Sequence, residues 1–110
     1  MEDIILLETK LAQPSKEVFK LQFTVGEFDM VVFDPKSASC EIYEIKYSTQ
    51  VVEQQYQHLV NEDKCAQTAH RFGKITGKYV LYRGTTQDAN GIHYVNVEEY
   101  LNNLSNDIRK

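Results

Sequence analysis

Gly26-Glu27-Phe28-Asp29-Met30-Val31-Val32-Phe33-Asp34, then Pro35-Lys36-Ser37-Ala38-Ser39, then Cys40-Glu41-Ile42-Tyr43-Glu44-Ile45-Lys46-Tyr47-Ser48 is the stretch whose reading decides the fold. The outer runs are β-rich and the middle is turn-forming, so the whole reads as a hairpin of two strands. Side chains alternate along a strand, which puts Glu44 and Lys46 on one face with Ile42, and Tyr43, Ile45 and Tyr47 on the other. In-register pairing brings Asp29 beside Glu44. Two carboxylates and an amine then converge at one end of a sheet.

That grouping has a chemical use. Two neighbouring carboxylates stay ionised together only with a cation between them. Hard oxygen ligands of this kind suit Mg²⁺ or Mn²⁺, and Mg²⁺ is commonly held by one or two carboxylates plus a substrate phosphate. A lysine beside the metal orients a water or helps deprotonate it for phosphodiester hydrolysis. The competing reading is an ordinary same-face Glu-x-Lys ion pair on a solvated strand. Glu44 and Lys46 close an otherwise apolar strand, and Asp29 follows the turn-forming Gly26, which favours the chemical grouping.

At 110 residues the chain is read as one domain, residues 1–110, with room for a single core. No apolar run approaches a membrane span. Glu2 and Asp3 stand where a signal peptide would be basic, so a cytoplasmic protein is expected. Cys40 and Cys65 show no metal-ligand spacing and are expected to be reduced thiols. The net charge of −4 argues against non-specific coating of nucleic acid. The acids are unevenly placed, however: ten of the sixteen precede residue 54, and none lies between Lys64 and Gln87. That window carries Lys64, Arg71, Lys74, Lys78 and Arg83 with His70, of which Arg71, Lys74 and Lys78 are the candidate nucleic-acid contacts, against the reading of a solvated helix face and strand ends.

Residues 2–11 read as a helix with an apolar stripe of Ile4, Ile5, Leu7 and Leu11, ended by Pro14-Ser15. The abrupt start of that helix suggests a fragment whose sequence continues upstream. Residues 17–24 alternate as a strand. After the hairpin come a loop, a short helix over 54–60, and a second helix capped by Asn61, packed through Cys65, Ala66, Ala69 and Phe72, and stopped at Gly73. Residues 78–83 form a strand, 85–90 a polar loop and 92–95 a last strand. Asn96 with Glu99 three on launches a final helix through Tyr100, Leu101 and Leu104, beyond which the chain is expected to fray. Gly73-Lys74-Ile75-Thr76 is not a phosphate loop, because Thr68 stands where that loop needs glycine.

Asp, hairpin, then Glu-x-Lys resembles the PD-(D/E)XK nuclease superfamily. The expected order, α-β-β-β-α-β plus a C-terminal strand and helix, is that of a restriction-endonuclease-like α/β core, a central mixed sheet flanked by helices. Residues 26–31, 44–48, 58–60, 71–82 and 94–101 resemble a narrower group, the C-terminal domains that follow a P-loop AAA-type ATPase module in many prokaryotic ATPases. The resemblance implies a Mg²⁺- or Mn²⁺-dependent endonuclease site with Asp29 and Glu44 as metal ligands and Lys46 as the water-positioning group. It also implies a glutamate on the first helix, with Glu2 the better match and Glu8 the second. Gln54-Gln55-Tyr56 falls where some members place residues near DNA, although an ordinary polar helix turn is the preferred reading. The implied partners are the ATPase module of a longer chain, DNA, and a second copy, since such domains often pair. The alternative is an inactive module of the same fold that docks on or regulates the ATPase, its Asp/Glu/Lys trio an ion-paired remnant. The histidines His58, His70 and His93 are assigned no site role.

Overall fold

The computed structural model describes residues 2–24, 26–46, 48–49, 57–89 and 91–109, the side chains of 106–109 excepted. Tyr47 and the Gln54-Gln55-Tyr56 segment lie outside the described residues. The elements run α1 (Glu2–Ala12), β1 (Glu17–Gln22), β2 (Glu27–Asp34), β3 (Ser39–Ile45), α2 (Glu62–Phe72), β4 (Lys74–Tyr82), β5 (Gln87–Ala89), β6 (Ile92–Asn96) and α3 (Val97–Arg109). The strands form one mixed sheet in the order β1-β2-β3-β4-β6-β5. β1, β2 and β3 are antiparallel in sequence, β3, β4 and β6 are parallel, and β5 returns antiparallel on the edge.

The sheet is covered on both faces, which explains the nearly continuous apolar runs of β2 and β3. One face carries Val31, Cys40, Ile42, Val80 and Tyr94 under α2, with Cys65 and Phe72 packed against them. The other carries Met30, Val32, Tyr43, Ile45 and Leu81 under α1 and α3, with Ile5, Val97 and Tyr100. Among the described residues no helix is long and apolar enough to cross a membrane.

Several local expectations are corrected. In α1 the buried positions are Ile5 and Thr9, whereas Ile4, Leu7 and Leu11 are 58%, 55% and 59% exposed. Thr9 can face inward because its hydroxyl donates to the Ile5 carbonyl at 2.8 Å and pairs with the Tyr100 hydroxyl at 2.7 Å, leaving no polar atom unmet. α2 likewise buries Thr68, bonded back to the Lys64 carbonyl at 2.7 Å, and exposes Ala66. Residues 57–60 form a turn rather than the end of a helix. β4 starts at Lys74, four residues early, because the Lys74 N–H donates to the Ala38 carbonyl and enters parallel register with Ser39. Gln87–Ala89 is a strand held by backbone pairing with β6, and α3 continues past Leu104 to Arg109. The caps hold: Asn61 Oδ1 accepts the Lys64 N–H at 3.0 Å, and Asn96 Oδ1 accepts the Glu98 and Glu99 N–H groups at 3.0 and 3.2 Å.

Candidate active site

The β2–β3 register runs Asp34↔Ser39 to Met30↔Tyr43, so one step further sets Asp29 against Glu44. On the other side of β2 the pairing passes from Phe19↔Val31 to Leu21↔Phe28. Three residues of β2 are taken up against two of β1, so Asp29 and Met30 form a bulge opposite Lys20. Phe28 and Val31 both sit in the α2-face cluster, so the alternation slips by one residue across the bulge. Asp29 Oδ2 accepts the backbone N–H of Ile45 at 2.8 Å, the role a strand carbonyl would otherwise fill.

Glu44 lies on the α2 face of β3 and is 2% exposed. Its Oε1 has no hydrogen-bond partner among the described residues, and its Oε2 is 3.7 Å from Lys46 Nζ. Burial pushes the Glu44 carboxyl up to about 9, the adjacent Asp29 carboxylate pushes the same way, and Lys46 opposes both. Lys46 is 37% exposed and stays in reach of solvent. Asp29, Glu44 and Lys46 are thus brought together, and the buried Glu44 carboxyl keeps its proton to about pH 9 while one of its oxygens stays without a hydrogen bond among the described residues.

The other candidates fall elsewhere. Glu2 pairs with Lys20 at 3.1 Å, and Lys20 is also 3.9 Å from Glu27. The Glu2 carboxylate is the main cause of the raised Lys20 pKa, with Glu27 and Asp29 adding to it. Among the described residues Glu2 thus meets the Asp29 strand through Lys20, and Glu8 sits six residues along the same helix. Among the described residues no three His, Cys, Asp or Glu side chains converge as a metal cage, so neither glutamate completes a set with Asp29 and Glu44. Lys74 pairs with Ser39 at the far end of β3, five residues or roughly 16 Å from Glu44. Arg71 lies beside it at the end of α2, its guanidinium 4.9 Å from the Phe72 ring, and Lys78 pairs with Ile42. The candidate phosphate contacts on Arg71 and Lys74 are at the wrong end of the sheet to serve the carboxylates.

Sequence reading missed two neighbours. Lys20 arrives through the bulge, and His58 arrives by folding back onto the Gly26 turn, where it meets Lys64 Nζ at 2.7 Å. No spacing in the sequence announces either approach. A cavity of about 570 Å³ opens at the C-terminal ends of β4 and β6, lined by Thr49, Arg83, Thr86, Asn96, Glu98 and Glu99 among others. It adjoins the chain leaving Lys46, because the Arg83 N–H donates to the Ser48 carbonyl at 2.9 Å.

Two carboxylates fit a cation that retains waters and takes further oxygens from a substrate, and they fit Mg²⁺ or Mn²⁺ better than a metal needing a full protein cage. Comparison with protein-family models, with curated proteins and with solved structures returned no match.

Proposed function

We propose that this chain is a nuclease-like domain, built on a restriction-endonuclease-like core and acting as the C-terminal module of a prokaryotic AAA-type ATPase, that hydrolyses phosphodiesters with a divalent cation. The observation that carries this reading is Glu44, a 2%-exposed carboxylate with one oxygen unpartnered among the described residues and Asp29 beside it. A bound cation would satisfy that oxygen, let Glu44 ionise beside Asp29, and supply charge stabilisation at the scissile phosphate. Asp29 and Glu44 would hold it. Lys46, next to Glu44 and in contact with solvent, would orient the attacking water.

A second reading has its own observation. Asp29 already serves the sheet by accepting the Ile45 N–H, so the trio is also consistent with an ion-paired remnant in a module that only docks on the ATPase. Calorimetric titration of Mn²⁺ separates the two. The cation reading expects binding in the wild type that vanishes in an Asp29→Asn/Glu44→Gln variant shown by circular dichroism to be folded. Equal, negligible heats in both proteins would leave the docking module. Lys46→Ala should keep Mn²⁺ affinity and abolish any DNA cleavage.

A further inference from the structure

The turn that delivers Asp29 to the site also carries a second, oppositely charged group. Gly26 has φ +84°, and its carbonyl accepts the Phe23 N–H at 3.0 Å. The space a Cβ would occupy there is filled by His58, whose Cε1 would lie 2.5 Å away, and by Lys64 Nζ at 3.0 Å. His58 therefore rests on the turn three residues before Asp29. Lys64 Nζ is 2.7 Å from His58 Nδ1 and lies over the Phe23 ring, 5.8 Å from its centroid.

An ammonium is a donor only, so Nδ1 must accept and the ring proton sits on Nε2. The pair then offers only donors outward: the imidazole Nε2–H and the two remaining N–H groups of Lys64. His58 is half-buried, and its neighbour Leu59 packs in the α2-face cluster with Val31 and Ile42, the face of β3 that also carries Glu44. Among the described residues, the cavity at the ends of β4 and β6 sets Glu98 and Glu99 against the one cation Arg83 in its wall. The His58–Lys64 pair thus offers a donor-only cluster at the turn that leads to Asp29.

We propose that His58 and Lys64 are the phosphate-binding half of the site, holding a non-bridging oxygen of a nucleic-acid phosphodiester whose remaining oxygens face Asp29 and Glu44. The assignment rests on the reading of the two carboxylates as the cation half. Charge-assisted hydrogen bonds of this kind are the strong ones, and losing one weakens binding by about tenfold or more.

Two titrations on the full chain test it: Mn²⁺ alone by calorimetry, and a short fluorescein-labelled oligodeoxynucleotide in EDTA by anisotropy. Lys64→Gln and His58→Asn should each weaken oligonucleotide binding about tenfold while leaving Mn²⁺ affinity unchanged. Asn keeps an acceptor at the Nδ1 position for Lys64 but has no group where Nε2–H stood; His58→Gln, which restores a donor near that place, should recover part of the loss. Lys64→Arg should bind as the wild type does, and it covers the case in which Lys64→Gln fails to fold. A folded Lys64→Gln or His58→Asn that binds the oligonucleotide like wild type, or a wild type that does not bind it, would overturn the assignment. A wild type that ignores Mn²⁺ yet loses oligonucleotide binding on substitution would remove the cation reading and keep the phosphate pair.

Discussion

Asp29 Oδ2 accepts the Ile45 backbone N–H at 2.8 Å, one residue beyond the buried Glu44 that it also faces. A single carboxylate thus completes the sheet ladder at a bulge and supplies half the charge of the candidate site. Structure and chemistry are joined at that atom pair, so the two roles must be separated by the choice of substitution.

Asp29→Asn retains an oxygen for the Ile45 N–H, whereas Asp29→Ala leaves that buried donor unmet at a cost of about 1–3 kcal/mol. Urea unfolding should therefore show Asp29→Ala clearly destabilised and Asp29→Asn near wild type. Both should lose Mn²⁺ binding. Equal stability of the two variants would mean that the hydrogen bond contributes nothing to the fold.

Glu44 makes stability depend on pH in a direction opposite to most carboxylates. Its folded pKa is raised from the ordinary 4.5 to about 9, so the folded state keeps a proton that the unfolded chain has released between those values. Stability from this group is full below pH 4.5 and falls as pH rises toward about 9, by at most about 1.4 kcal/mol per pH unit. Urea midpoints of the metal-free protein at successive pH values should decline across this window. Glu44→Gln should flatten the decline, and an unchanged slope in that variant would assign it to another group.

The same proton couples to the cation. A divalent ion between Asp29 and Glu44 needs both carboxylates ionised, so below about pH 9 its binding releases up to one proton from Glu44. Mn²⁺ affinity should rise with pH by at most about tenfold per unit. Calorimetry in buffers of different ionisation enthalpy counts the proton directly. Binding with no buffer dependence would place the ion somewhere other than on Glu44.

What the sequence disclosed was the part governed by local pattern. The hairpin register follows from the alternation of two strongly apolar runs, and with it the meeting of Asp29 and Glu44. The caps at Asn61 and Asn96 were legible because the accepting side chain and the N–H that donates to it lie within three residues. The buried face of α1 was not, since Thr9 becomes an inward residue only through Tyr100, far along the chain. β5 was hidden because Gln87-Asp88-Ala89 offers no apolar signal and is held by backbone pairing. His58 and Lys20 were missed because each reaches its neighbours through a turn or bulge that no spacing encodes.

The inverted burial of α1 makes a sharp contrast testable. Leu7→Ser and Leu11→Ser, at exposed positions, should change stability by no more than about 0.5 kcal/mol. Ile5→Ala, at a fully buried position, should cost about 2–5 kcal/mol. Urea unfolding of the three variants decides it. A large loss for Leu7→Ser would return that side chain to a packed interface.

Gly26→Ala links the backbone to the His58–Lys64 pair. At φ +84° an alanine incurs about 1–2 kcal/mol of left-handed strain, and its Cβ takes the space of the His58 ring. His58 titrates below its ordinary 6.5 in the wild type, chiefly because burial disfavours the imidazolium and because Lys64 and Lys46 add positive charge, with Asp29 and Glu27 pulling the other way. Pushing the ring off the turn exposes it and separates it from Lys64, so its pKa should climb back toward 6.5. Lys64→Gln should raise it too, by removing one of the two ammoniums. A proton NMR titration of the histidine ring signals reads both. If His58 titrates at the same pH in all three proteins, the contact with Lys64 is not what sets its proton, and the donor arrangement built on it loses its footing.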